Sequence, residues 1–118
     1  MRLQPRPLIV TVIGWLFVVF GSAGAIATFV GLVRDHAPTS NMDLLILTIR
    51  ILGAIGGAFL LLGRNWARWL LIGWMAYHVV IGTLHGPFQF LVHAAFLVGL
   101  CFALFRPAVS AWFLSPAG

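Results

Sequence analysis

The chain has 118 residues, of which 62% are hydrophobic and only 8% are charged. This balance excludes an ordinary soluble domain, in which roughly a quarter of the residues are charged. The net charge of +5 comes from arginine alone, against Asp35 and Asp43. The arginines stand singly at the ends of apolar runs, which argues against nucleic-acid binding. This distribution instead indicates the orientation of the helices in a membrane and an attraction to anionic lipid.

Four apolar runs each approach the roughly 20 residues that a helix needs to cross a bilayer. We therefore expect one all-α transmembrane domain over residues 1–118, an antiparallel up-down-up-down four-helix bundle. Between the second, third and fourth runs the breaks are so short that the flanking helices must be antiparallel neighbours. The predicted helices are 8–33, 44–62, 66–84 and 88–105, followed by an interfacial tail at 106–118.

The first run also has features of a secretory signal, because Arg2 and Arg6 precede it and it contains the small residues from Gly21 to Ala25. Since the run continues to Val33, we expect an uncleaved first helix instead. Small residues in the middle of a membrane span allow helix backbones to approach closely. The glycines predicted to pack the helices in this way are Gly21, Gly24, Gly53 and Gly57.

Arginines near helix ends predict the orientation, because positive charge accumulates on the cytoplasmic side. Five arginines fall on the side of the two termini and only Arg34 falls on the other side, so both termini are predicted to be cytoplasmic. The cytoplasmic group is Arg2, Arg6, Arg64, Arg68 and Arg106. Tryptophans beside these arginines fit the aromatic belt at the headgroup level. The predicted interface anchors are Trp66, Arg68, Trp69, Arg106 and Trp112.

A layer of polar side chains is predicted in the outer half of the membrane, where such groups are costly and suggest function. At 1.5 Å per residue, Arg50 lies roughly 10 Å below the outer start of the second helix. His78 and His93 lie at similar depths in the third and fourth helices, and Gln89 falls in the same zone. Arg50 shares a helical face with Gly53, so we expect it to point at protein rather than at lipid.

Structural and functional interpretations of this layer stay open. Arg50 can snorkel to the headgroups or pair with Asp43, while His78 and His93 can be neutral imidazoles hydrogen-bonded across a helix interface. Alternatively, the two histidines ligate a b-type haem. A third interpretation is that Arg50, with Gln89 and the histidines, holds an anion, a polar solute or a quinone head group.

Several functional classes lack the residues that they need. The predicted spans contain no central acidic residue, which a small proton antiporter of the carboxylate type requires. No arrangement of nucleophile, base and orienting acid indicates an enzyme, and no cluster of ligands indicates a metal site. Cys101 is the only cysteine and is expected to be a small core side chain.

The segment from Gly63 to Arg68, Gly-Arg-Asn-Trp-Ala-Arg, enters the third helix, and Phe105 to Val109, Phe-Arg-Pro-Ala-Val, leaves the fourth. With Arg6-Pro7 before the first helix, these motifs resemble those of small uncharacterised four-helix bacterial inner-membrane proteins. The resemblance implies a location in the bacterial inner membrane. It implies no activity and carries no functional residues.

We therefore expect a non-enzymatic membrane protein without a cofactor, either an accessory or structural subunit of a larger complex or a homo-oligomer. Its expected partners are the lipid bilayer and other membrane subunits or further copies, and no nucleic acid. One alternative is an electron-transfer subunit that holds haem b through His78 and His93. The other is a small channel or carrier with an outer polar vestibule around Arg50.

Overall fold

The computed structural model describes residues 4–116, which form five α-helices. The first four are each long and apolar enough to cross a membrane. The prediction of an all-helical chain with four candidate spans is therefore confirmed. Arg2, which contributed to the predicted orientation, lies outside the described residues. The helices are α1 Leu8–Asp35, α2 Asn41–Leu61, α3 Asn65–His85, α4 Pro87–Phe105 and α5 Pro107–Leu114.

Helix α2 begins three residues before its predicted start, because a capping box precedes the apolar run. The Ser40 hydroxyl accepts from the Asp43 backbone N–H at 3.1 Å, and the Asp43 carboxylate accepts from the Ser40 N–H at 2.9 Å. These two bonds satisfy donors that a helix start leaves without partners. The polar residues before the apolar run therefore belong to the helix, and Asp43 is committed to the cap.

The predicted interfacial tail contains a short helix, α5, which folds back against the other helices. Pro107 occupies its first turn, where a missing N–H costs nothing. Val109, Trp112 and Phe113 are buried against the ends of the longer helices. Trp112 is only 5% exposed, so it is a core side chain as well as a predicted interface anchor; Trp66 and Trp69 are 48% and 62% exposed.

The hydrophobic core is concentrated at the end of the molecule that carries α5. Helices adjacent in sequence pack against one another, whereas α1 and α4 contact each other only weakly. The molecule is consequently closed at the end that carries α5, and α1 and α4 lie apart toward the opposite end. The core residues are Val10, Ile13, Leu60, Ala67, Leu71, Met75, Leu100, Leu104, Val109, Trp112 and Phe113.

Arg68 ties the closed end together, although the sequence placed it simply among the boundary arginines. Its side chain is buried, at 4% exposure. Nη1 donates to the Leu104 carbonyl oxygen and to the Ser110 hydroxyl, both at 2.9 Å. Nε and Nη2 both donate to the Asn65 side-chain oxygen, and the guanidinium lies 4.5 Å from the centre of the Phe105 ring. One cation therefore joins α3, α4 and α5.

Two further side chains stabilise the same end. Arg6 donates from Nη1 to the Leu61 carbonyl oxygen and from Nε to the Thr11 hydroxyl, both at 2.9 Å. A cation at this position satisfies a terminal carbonyl of α2 and complements the negative end of the helix dipole. Trp112 donates to the Gln4 carbonyl oxygen at 3.3 Å. The segment before α1 is thereby joined to α2 and α5.

Helices α1 and α2 approach at a seam of small residues, along which residue numbers rise in α1 while they fall in α2. A Cβ placed on Gly21 would lie 2.6 Å from the Ala54 backbone nitrogen. A Cβ placed on Gly57 would lie 2.7 Å from the Gly14 carbonyl oxygen and 2.7 Å from the Phe17 Cβ. Glycine at these positions lets the two backbones come into direct contact.

Cys101 does not occupy the core position expected for it, because its side chain is exposed. It lies on the outer surface of α4, which carries exposed Val98 and Phe102 on either side. A thiol tolerates an apolar environment as a small hydrophobe does, so a face toward lipid suits it as well as a core.

Gly57→Ala is expected to destabilise the protein by about 1–3 kcal/mol, because the new methyl group overlaps backbone atoms that cannot rotate away. The free energy of unfolding, measured by denaturant titration from detergent micelles, checks this. Gly73→Ala is the matched control, since a Cβ there meets nothing within 4 Å. Equal stabilities of the two variants would contradict the close seam.

Arg68→Met is expected to cost about 3 kcal/mol, because it leaves buried hydrogen-bond acceptors without their charged donor. The same unfolding titration measures the loss. Arg106→Met is the control: Arg106 is exposed, and a surface change of this kind stays within about 0.5 kcal/mol. If Arg68→Met lowered the free energy of unfolding as little as Arg106→Met does, Arg68 would behave as a surface charge and its structural role would be contradicted.

Candidate functional site

A long groove, here called the α1–α4 groove, lies between α1 and α4, with residues of α2 and α3 at its base. Its volume is about 1150 Å³, slightly above the ~300–1,000 Å³ of common small-molecule sites. Apolar side chains such as Leu16, Phe20 and Phe96 form most of its walls. The closed end of the molecule limits it near Ile9 and Ala103.

Arg50, His78 and His93 all line the α1–α4 groove, in the half that lies away from α5. They come from α2, α3 and α4. The structure therefore brings together the three residues that the sequence placed in one polar layer. Gln89 is exposed on α4, and its side chain is not among the groove residues.

Arg50 joins α2 to α1 rather than pairing with Asp43, which caps its own helix. Its Nη1 donates to the Gly24 carbonyl oxygen and to the Thr28 hydroxyl, both at 2.8 Å. Thr28 in turn donates to the Gly24 carbonyl oxygen at 2.9 Å. The Arg50 side chain packs closely over Gly24, where a Cβ would lie 3.2 Å from the Arg50 Cδ.

Only one edge of the Arg50 guanidinium is used by the protein. Among residues 4–116, the hydrogen bonds of Arg50 all come from Nη1. The edge formed by Nε and Nη2 keeps its donors, and the described residues place no acidic side chain in an ion pair with it. Arg50 therefore carries an uncompensated positive charge to the side of the groove.

Trp74 forms the base of the groove beside this layer. Its indole N–H donates to the Ile49 carbonyl oxygen at 2.7 Å, and its ring meets Phe17 edge-on at 5.3 Å between centroids. Gly53 makes room for the indole, since a Cβ there would already touch it at 3.4 Å. Trp74 thus joins three helices and supports the ring of His78, 3.9 Å away between centroids.

His78 and His93 face each other across α3 and α4, with ring centroids 6.0 Å apart and planes 18° from parallel. Each ring is oriented by its own helix rather than by the other histidine. His78 Nδ1 lies 2.8 Å from the Trp74 carbonyl oxygen, and His93 Nδ1 lies 2.7 Å from that of Gln89. A carbonyl can only accept, so Nδ1 carries the proton and Nε2 is left to bind something else.

Histidines oriented through Nδ1 in this way are typical of metal and haem ligands. One turn from the pair, however, α3 and α4 are in backbone contact: a Cβ on Gly82 would lie 3.2 Å from the Phe90 Cα. A flat macrocycle held between His78 and His93 is wider than one helical turn and would have to separate the helices there. Among residues 4–116, no group of three or more histidine, cysteine or acidic side chains could hold a metal ion.

Neither Trp74 nor the groove itself was predicted from the sequence. A signal for Trp74 existed, because it lies four residues before His78 and therefore on the same helical face. The groove had no comparable signal, since it depends on how far apart α1 and α4 lie. That distance is decided by packing at the closed end.

Four apolar helices long enough to cross a membrane indicate an α-helical membrane protein, and the groove between α1 and α4 has one polar end. Comparisons with protein families, with curated proteins and with solved structures find no match to this chain. The geometry of the site is therefore the basis for any proposed function.

Proposed function

We propose that this protein is a non-enzymatic membrane protein that binds an amphipathic molecule taken sideways from the bilayer into the α1–α4 groove. The observation that carries the proposal is the position of Arg50, whose charge lies beside a groove with otherwise mainly apolar walls. The polar part of the ligand would lie against Arg50, and its apolar part would extend toward Ile9 and Ala103.

The chemistry of the groove supports a ligand with two unlike parts. Lipid tails can cover the apolar walls, but they offer nothing to the free donors of Arg50 or to the histidine nitrogens. A charge in hydrocarbon is costly unless a partner reaches it. A purely polar solute would satisfy Arg50 and leave Phe20 and Phe96 uncovered. An amphipathic molecule satisfies both ends of the groove at once.

The predicted alternatives account for the groove less well. The exposed apolar faces expected of an accessory subunit or homo-oligomer are also what helices present to lipid, so those faces do not select this function. A channel or carrier needs a polar path along the membrane normal, whereas the polar residues of the groove lie in one layer. A haem between His78 and His93 requires α3 and α4 to separate.

The proposal includes an antiparallel up-down-up-down arrangement in a bacterial inner membrane, with both termini in the cytoplasm. Arg6, Arg64, Arg68 and Arg106 lie at the ends of helices around the closed end, and Arg34 lies at the other end of α1. An excess of arginine marks the cytoplasmic side. The Arg50 layer then belongs to the outer half of the membrane.

Single cysteines introduced into a Cys101→Ala background test this topology in intact cells. We expect Ser40→Cys, between α1 and α2, to react with a membrane-impermeant maleimide added from outside. Ser115→Cys, after α5, is expected to react only after the membrane is permeabilised. The reverse pattern would invert the orientation, and labelling of both from outside would exclude the three crossings predicted between Ser40 and Ser115.

Gly99→Leu is expected to block the groove and abolish ligand capture. Gly99 lines the groove, and a Cβ there meets nothing within 4 Å, so a side chain can start from this position without a clash at its first atom. Capture is measured by photocrosslinking the purified protein with a fatty acid and with a fatty alcohol, each carrying a diazirine in its tail.

Gly73→Leu is the matched control, because Gly73 also has open space around it but does not line the groove. It should capture the probes as the unchanged protein does. Peptide mapping should place the crosslinks on α1 and α4. Failure of both probes to crosslink there in the unchanged protein, or equal crosslinking in Gly99→Leu, would overturn the proposed function.

A further inference from the structure

We infer that the group recognised beside Arg50 is a carboxyl group, so that the ligand belongs to the class of long-chain carboxylic acids. This inference rests on the proposed function and adds the chemistry of the head group. It depends on three features of the polar end: the charge of Arg50, the edge of its guanidinium that remains free, and the orientation of the two histidines.

Charge favours an anion over a neutral head group. Arg50 stays protonated under all ordinary conditions, and no described acidic side chain pairs with it. A quinone or an alcohol would offer an acceptor but would leave the charge in the membrane uncompensated. A single negative charge removes that cost and forms a charge-assisted hydrogen bond, which is about twice as strong as a neutral one.

The free edge of the guanidinium suits a carboxylate in shape. Both protein bonds of Arg50 come from Nη1, which directs that nitrogen toward Gly24 and Thr28 on α1. Nε and Nη2 remain side by side, as two parallel N–H donors. A carboxylate presents two oxygens in one plane and can accept from both at once. The contacts with α1 fix the guanidinium in advance, so binding has less side-chain entropy to remove.

The histidines add hydrogen-bond acceptors that suit the protonated form of an acid. With Nδ1 donating to the backbone carbonyls of Trp74 and Gln89, Nε2 of each ring is available as an acceptor. A protonated acid can donate its O–H to such a nitrogen while its carbonyl oxygen accepts from Arg50, and an ionised acid accepts from Arg50 with both oxygens. A phosphodiester head group has no proton to donate at neutral pH.

Depth favours a molecule with one tail over a membrane phospholipid. Arg50 lies nine residues into α2, which begins at Asn41, or about 14 Å along the helix axis. The groove then follows α1 from Gly24 to Ile9, fifteen residues or about 22 Å. A phospholipid would have to draw its phosphate and glycerol away from the headgroup region to reach Arg50. A fatty acid brings only its carboxyl group and one tail.

The test compares ligands with different head groups, among which palmitate and hexadecanol share the same tail, using the purified full chain in nanodiscs of uncharged phosphatidylcholine. Binding of palmitate, hexadecanol, phosphatidylglycerol and decylubiquinone is measured by competition against the photoreactive fatty acid. We expect palmitate to compete about tenfold or more better than hexadecanol, because only palmitate makes the charge-assisted bonds. Phosphatidylglycerol and decylubiquinone are expected to compete weakly.

Arg50→Gln should lose this preference, so that palmitate and hexadecanol compete equally in the variant. Arg34→Gln removes an exposed arginine at the C-terminal end of α1 and should keep the preference for palmitate. Helical content and elution volume establish that Arg50→Gln is folded, because Arg50 also holds α1. The comparison of ligands on the unchanged protein needs no variant and decides the inference even if Arg50→Gln does not fold.

The outcomes separate the inference from the proposed function. If hexadecanol competes as well as palmitate and Gly99→Leu excludes both, the groove binds amphipathic molecules without a preference for a carboxyl group. The inference is then overturned, while the proposed function stands. Stronger competition by phosphatidylglycerol or decylubiquinone would reassign the head group to a phosphodiester or a quinone. If no ligand competes and no probe crosslinks to the groove, the proposed function fails as well.

Discussion

The whole structure depends on the requirement that polar groups surrounded by hydrocarbon find partners within the protein. Among the described residues, no buried side-chain nitrogen or oxygen lacks a hydrogen-bond partner. Arg68 meets the requirement at the closed end by bonding groups of α3, α4 and α5. Trp74 meets it at the base of the groove by donating to α2. These bonds also join the helices, because each partner lies on another element or at an element's end.

Arg50 satisfies the same requirement only in part. Its Nη1 bonds hold α1 against α2 beside Gly24, which is a structural role. Arg50 also lines the groove, where the proposed ligand would complete its set of partners. A single side chain thus connects the packing of the first helix pair with the proposed binding site. For this reason the experiments on Arg50 separate loss of folding from loss of recognition.

The groove follows from an uneven distribution of packing along the molecule. Core side chains and α5 close one end, while α1 and α4 scarcely meet elsewhere. Close contacts at the glycines of α1 and α2 and at Gly82 of α3 hold neighbouring helices together in pairs. Helices α1 and α4 lie apart away from α5, although Trp74 still joins α3 to α2 there, and the space between α1 and α4 reaches the polar layer.

The sequence by itself determined the four spans, because their length and apolar content leave no other way to satisfy the backbone in lipid. Helical spacing also predicted similar heights for Arg50, His78 and His93, since rise per residue is constant, and all three line the α1–α4 groove. Only the tertiary structure decided that α5 folds back, that Arg68 is buried, that Cys101 is exposed and that α1 and α4 lie apart. These features depend on contacts between distant segments, about which local periodicity carries no information.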